Sequence, residues 1–165
     1  MRSPSCRSVA PTDGERPLQP RIDTKHIKPE AYLAMLSLQD YVDATGLEQS
    51  LRYLMQIRAS QINGCAFCVH MHLRDARKAG EPQERLDLVA VRRESPVFTA
   101  RERAALAWTE ALVADSHVPD GVCESVRAEF SEQELVDLTM AVVAINGWNR
   151  MMVSFRILPA AVRHD

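Results

Sequence analysis

Cys65, Cys68 and His72 lie in the stretch Asn63-Gly64-Cys65-Ala66-Phe67-Cys68-Val69-His70-Met71-His72. On a helix these are positions i, i+3 and i+7, which share one face. Sulfur, sulfur and imidazole then line a single strip, placing a proton acceptor beside a thiol. A helix starting just before Cys65 sets that sulfur near unsatisfied backbone N–H groups and the positive end of the dipole. Both favour thiolate over thiol. His72 follows Cys68 by one turn and can exchange a proton with it, and His70 offers a second imidazole nearby. A thiolate here can attack a peroxide O–O bond to give a sulfenic acid, which the neighbouring cysteine condenses to a disulfide. Exchange with an external dithiol completes the cycle.

The same residues allow other readings. Cys65, Cys68, His70 and His72 supply four atoms of the kind that bind zinc. Their spacing counts against it, because structural zinc sites usually draw their second ligand pair from a distant segment. His117 and Cys123 follow no recognised zinc spacing; His117 reads as a loop residue before Pro119, and Cys123 as the inert face of a short helix. A CxxC on a buried helix can also be simple packing, since free cysteine is a common core residue. No cofactor or metal is expected.

The scaffold is bounded by length and charge. A chain of 165 residues is one domain on the usual prior and can bury a sizeable core. The net charge of −2 comes from nearly balanced acids and bases, so nucleic acid and anionic membrane are not expected partners. No apolar run reaches the length of a membrane span. The amino terminus has charge without a following apolar core, so no secretory signal is expected. Four cysteines are too few and too unevenly placed for a secreted disulfide framework. The expected compartment is the reducing cytoplasm.

Pro4, Pro11, Pro17 and Pro20 make residues 1–21 an expected disordered tail, with Cys6 incidental within it. Residues 22–165 form the expected helical domain. Pro29 suits a first helical turn, and Ala31, Met35, Leu38 and Val42 follow at helical spacing until Gly46. A second helix runs from Leu47 to Ile62, and Asn63-Gly64 breaks the chain before a third that holds both cysteines and continues to Gly80. Pro82 opens a short helix. Thr99 and Glu102 form a capping box for the next, which runs to Val113. Pro119 opens another short helix. Ser131 and Glu134 cap a long one, with Leu135, Leu138, Val142 and Ile145 on a single stripe. No segment alternates with period two, so the class is all-α. Arg92-Arg93 and Arg101–Arg103, interspersed with Glu, read as a solvated face; Trp108 and Met151-Met152 read as core or interface.

The stretch Arg58–His72, followed by Asp75-Ala76-Arg77-Lys78-Ala79-Gly80-Glu81, resembles the core of the alkylhydroperoxidase D (AhpD-like) family, in the carboxymuconolactone decarboxylase superfamily. Leu135–Arg150, ending Ile145-Asn146-Gly147-Trp148-Asn149-Arg150, resembles the ending of its small single-domain members. The resemblance implies an all-helical, oligomeric fold, commonly a homotrimer or a homohexamer, and a disulfide-cycling peroxidase for organic hydroperoxides. It makes Cys68 the peroxidatic cysteine, Cys65 the resolving one that meets the reductant, and His72 part of the proton relay. The reductant would be a lipoylated protein, a thioredoxin-like protein or a small thiol. The helix dipole, in contrast, favours Cys65 as the more acidic thiol. The family's relay also contains a glutamate where Tyr53 stands here, and a phenol with an unperturbed pKa near ~10 is a poor base at neutral pH. His70 could substitute, although it points away from the strip on an ideal helix, as could Glu48 from farther along the preceding helix. The alternatives are a redox-responsive oligomeric interaction module with negligible turnover, and a decarboxylase-like enzyme, against which the CxxC pair itself argues.

Overall fold

The computed structural model describes residues 19–115 and 117–159. The expected tail, Cys6 included, lies outside the described residues except at positions 19–21. There Arg21 donates its backbone N–H to the Phe155 carbonyl at 2.8 Å. The described residues hold helices and no strand. They are α1 (Thr24–Ile27), α2 (Pro29–Ala44), α3 (Gln49–Ile62), α4 (Ala66–Lys78), α5 (Gln83–Leu88), α6 (Ala100–Ala114), α7 (Asp120–Arg127) and α8 (Glu132–Ser154), with a 3-10 segment at Val89–Glu94. No helix among them is long and apolar enough to cross a membrane.

The caps read from sequence set the two principal boundaries. Thr99 accepts from the Glu102 N–H while Glu102 accepts from the Thr99 N–H, and Ser131 and Glu134 repeat the exchange. Each box satisfies two amides that a helix start leaves without partners. The one-turn α1 and the 3-10 segment carry no comparable signal and were not foreseen.

The centre of the fold is α3, which packs against α4, α6 and α8. It is apolar on opposite sides. Leu51 and Met55 join Trp108, Leu138 and Val142 in one core cluster, while Leu54 and Ile57 join Ala76, Leu86, Phe98 and Leu106 in another. Trp108 is therefore a core residue, and its indole N–H donates to Thr139 Oγ1 at 3.2 Å.

Two arginines depart from the solvated face expected of them. Arg92 is 6% exposed, and it donates from Nε and Nη2 to the two carboxylate oxygens of Glu110 at 3.1 and 2.7 Å. Arg58 of α3 donates to the same carboxylate at 2.7 Å, so one acid ties the 3-10 segment and α3 to α6. Arg101 bridges Glu48 and Glu134, and its guanidinium lies 3.8 Å from the Phe130 ring centroid. In both places the local Glu–Arg alternation is met by long-range pairing.

Between α3 and α4 the chain turns at Gly64, with φ +67. This is left-handed backbone, which an L side chain enters at a cost of about 1–2 kcal/mol. A Cβ added there meets no atom within 4 Å, so the cost of substitution is purely conformational. Gly64→Ala is expected to lower stability by about 1 kcal/mol, and Gly64→Asn by less, since asparagine tolerates this region. Urea midpoints of the three proteins check the ranking.

Candidate active site

The turn at Gly64 delivers Cys65 to the start of α4 as its N-cap, just outside the helix whose first turn the sequence reading had it join. Cys65 has extended backbone (φ −87, ψ 91), and its Sγ accepts from the Cys68 backbone N–H at 3.3 Å. The sulfur thus sits where the first amides of α4 lack helical partners. Cys65 and Cys68 are joined as a disulfide with a Cα–Cα distance of 5.3 Å. Each is 1% exposed, packed with Met152 and partly with Phe67, Trp148 and Met151. His72 and Ala76 continue the strip of Cys65 and Cys68, and both are buried. The i, i+3, i+7 face is therefore real, and it points inward.

The site is held by a group of amides that sequence reasoning missed. Ser60 accepts the Cys65 N–H on its carbonyl oxygen at 3.0 Å. Its hydroxyl accepts from Asn149 Nδ2 at 3.0 Å. Asn63 Nδ2 donates to Asn149 Oδ1 at 2.9 Å and to Asn146 Oδ1 at 2.7 Å. Thus α8 clamps the α3–α4 turn through one buried and two half-buried polar contacts. The signal was present: Asn149 continues the stripe of Leu138, Val142 and Ile145 on to Met152. A polar residue at an apolar register position needs partners.

An open cleft of about 530 Å³ runs along α4 beside the disulfide. Cys65, Val69, Leu73 and Arg77 line it from one helical row, and Gln61 and His70 flank it. Cys68 is not among its lining residues.

The carboxymuconolactone decarboxylase family matches the chain over residues 29–111. The uncharacterised Bacillus subtilis protein YdfG is 35% identical over 136 residues, covering 81% of this chain and 92% of its own length. The chain belongs to the carboxymuconolactone decarboxylase family. Within it the likeness is to AhpD-like proteins. A protein of unknown function from Agrobacterium tumefaciens, put forward as an AhpD antioxidant-defence protein, is 43% identical with a TM-score of 0.85, over 87% of this chain and 100% of that one. The debrominase Bmp8 is 18% identical with a TM-score of 0.77, over 84% of this chain and 75% of that one. At that identity the likeness is one of fold alone. The fold is thus shared with a debrominase, so the chemistry must be argued from the CxxC geometry.

The remaining expected residues fall in three places. His72 is on the disulfide strip, whereas His70 faces the cleft. Tyr53 packs against the second core cluster, and its hydroxyl accepts from Gln49 Nε2 at 3.2 Å. Glu48 caps the far end of α3, about 20 Å of helix from Cys65. Its carboxylate is held by Arg101. The turn-exposed His117 and the core-packed Cys123 are not brought to the pair, and among the described residues no three His, Cys, Asp or Glu gather as metal ligands.

Burial pushes the His72 pKa down from 6.5 to about 4, against the opposing pull of Asp75 and Asp43. The imidazole is neutral at pH 7 and can accept a proton. A thiolate at Cys68 would add negative charge one turn away and raise its basicity. The same shift links stability to pH. The unfolded chain takes up the His72 proton near pH 6.5 and the folded one only near 4. His72 burial therefore carries no such penalty above pH 6.5, and stability falls as pH drops from 6.5 towards 4, by up to about 3 kcal/mol. The urea midpoint of the oxidised protein is expected to fall more steeply across this window than that of His72→Gln; parallel curves would remove His72 as the cause.

Proposed function

We propose that the chain is a thiol-dependent peroxidase that reduces organic hydroperoxides through a Cys65–Cys68 disulfide cycle. One observation carries the reading: the disulfide forms at the start of α4 with a neutral imidazole one turn beyond Cys68. A Cys68 thiolate attacks the terminal peroxide oxygen, the O–O bond breaks, and the alkoxide leaves as alcohol with a proton relayed through His72. Cys68 is then a sulfenic acid. Cys65 attacks its sulfur, water leaves, and the disulfide closes. A dithiol returns both cysteines to thiols and is itself oxidised to a disulfide.

His70, at the cleft, is the nearer candidate to supplement the relay where Tyr53 replaces the family's glutamate. Tyr53 is engaged with Gln49 and Glu48 with Arg101. The reductant is a lipoylated protein, a thioredoxin-like protein or a small thiol, and the assembly a homotrimer or homohexamer. Exposed Val136, Val143 and Val153 on α8 support association.

The test is stopped-flow mixing of reduced protein with cumene hydroperoxide, with thiols counted before and after. Loss of two thiols per chain, well above the rate of free cysteine, is the expected result. Loss at the rate of free cysteine would overturn the reading and favour a redox-responsive interaction module, since α8 both packs on the disulfide and exposes those valines.

A further inference from the structure

Cys65 is shared by two helices. It is the N-cap of α4, and it is also the second residue beyond Asn63, the C-cap of α3. The Cys65 N–H donates to the Ser60 carbonyl at 3.0 Å, and the Gly64 N–H to the Gln61 carbonyl at 3.3 Å. With Gly64 left-handed at φ +67, these two bonds form the Schellman closure of α3. From the same residue, Sγ accepts the Cys68 N–H in the first turn of α4. No free residue separates the two caps, so a shift at the end of α3 moves the sulfur relative to the α4 amides. Those amides and the dipole behind them act on charge only within the first turn, and a hydrogen bond weakens steeply off its axis. The end of α3 is in turn gripped from α8. Asn149 is 1% exposed and Ser60 0%. Both ends of the Asn149 amide go to this turn, donating to Ser60 Oγ and accepting from Asn63 Nδ2. It does so from a register that otherwise carries Leu138, Val142, Ile145 and Met152. Packing alone would be met by an apolar side chain at that position, so the amide is explained by what it holds.

We infer that Asn149 is a positioning residue for Cys65, fixing the sulfur against the α4 amides so that the reduced pair is held with Cys65 as thiolate. The consequence falls on the redox balance of the pair. Reduction by a dithiol brings two electrons, breaks the S–S bond and leaves each sulfur as a thiolate, which takes up a proton unless its surroundings favour the charge. Amides aimed at Cys65 Sγ favour the charge, stabilise the reduced form and make the disulfide the stronger oxidant. Releasing the end of α3 removes that stabilisation and shifts the balance towards the disulfide. In the proposed cycle the same thiolate attacks the Cys68 sulfenic acid, so Asn149 acts on disulfide closure and not on the attack on peroxide. Only this last placement rests on the peroxidase reading. Among the described residues, the groups able to carry charge around Cys65 are Cys68 and His72 on its own strip, and His70 and Arg77 along the cleft. From α3 come Ser60, Gln61 and Asn63, and from α8 Trp148, Asn149 and Met152, none of which titrates. His72, with its pKa pushed down to about 4, stays neutral across the range in which thiols titrate.

The experiment takes two readings on the full-length chain and on Asn149→Leu, which keeps the side-chain size and removes the amide. The first is the pH midpoint of iodoacetamide alkylation at Cys65, followed on its own peptide in a Cys68→Ser background. Asn149→Leu is expected to raise it by about one unit, the scale of a charge placed against a helix terminus. The second is the equilibrium of the Cys65–Cys68 pair with reduced and oxidised dithiothreitol, with no peroxide present. Asn149→Leu is expected to favour the disulfide by up to about tenfold, or about 30 mV, above both midpoints. That gap should close below them, where Cys65 is a thiol in both proteins. Val142→Ala, on the same α8 stripe but in the core away from the pair, is expected to lower the urea midpoint and leave both readings in place. Ser60→Ala removes only the hydroxyl partner; it is expected to shift both readings in the same direction by less, and it decides the matter should Asn149→Leu fail to fold. A Cys65 midpoint unmoved in the variant that folds, or moved as far by Val142→Ala, would overturn the inference. A chain with no peroxidase activity would still give these readings, so the two proposals fail separately.

Discussion

Cys68→Ser is expected to abolish peroxide-driven turnover and to leave the helical fold in place. The fold should survive because the α3–α4 turn is held by Ser60, Asn63 and Asn149 independently of the disulfide, and because serine fills the site without a large void. The rate of thiol loss on mixing with cumene hydroperoxide should fall by about 100-fold or more, the scale of a positioned proton acceptor serving its nucleophile. Cys65→Ser gives the contrasting result. Cys68 should still react once, stop as a sulfenic acid for want of its partner, and be trapped by dimedone. The pair of variants decides between two physical arguments. The amides at the start of α4 favour a Cys65 thiolate, whereas His72 stands one turn from Cys68. If Cys65→Ser is inert and Cys68→Ser reacts, the helix terminus outweighs the imidazole and the two roles exchange.

What the sequence disclosed, and what it hid, divides along the range of the interactions. Caps and stripes are local: Thr99 with Glu102, Ser131 with Glu134, and the apolar register of α8 were all readable because partners lie within a turn or two. The disulfide strip was readable for the same reason, although the break at Gly64 put Cys65 just outside the helix. Arg92 and Arg101 were misread because their partners, Glu110, Glu48 and Glu134, lie on other elements. A local Glu–Arg alternation contains no information about them. Asn149 was noticed only as part of a familiar ending, yet its place in an apolar stripe could have marked it as a buried polar group. The direction in which His70 faces, and the engagement of Tyr53 and Glu48, depend on how α3 packs, which periodicity does not specify.

The other large effect is expected far from the cysteines. Glu110→Ala should lower stability by about 3–5 kcal/mol, the scale for removing one partner from a buried ionic group. The reason is asymmetric. Burial works against the Glu110 charge, while hydrogen bonds from Arg92 and Arg58 hold its carboxyl below the usual carboxylate range. Removing the carboxylate leaves two guanidiniums with side chains only 7% and 20% exposed and no counter-charge at the junction of the 3-10 segment, α3 and α6. For a domain of this size such a loss corresponds to a fall in Tm of about 10 °C. Glu110→Gln, which keeps the shape and some hydrogen bonding, should lose less. Combining Glu110→Leu with Arg58→Met and Arg92→Met should recover most of the loss, because the stranded charges go with their partner. Thermal and urea unfolding of the variants check the order. If Glu110→Ala costs under about 1 kcal/mol, the cluster behaves like a surface ion pair, and the burial of Arg92 contributes little to holding the 3-10 segment against α3 and α6.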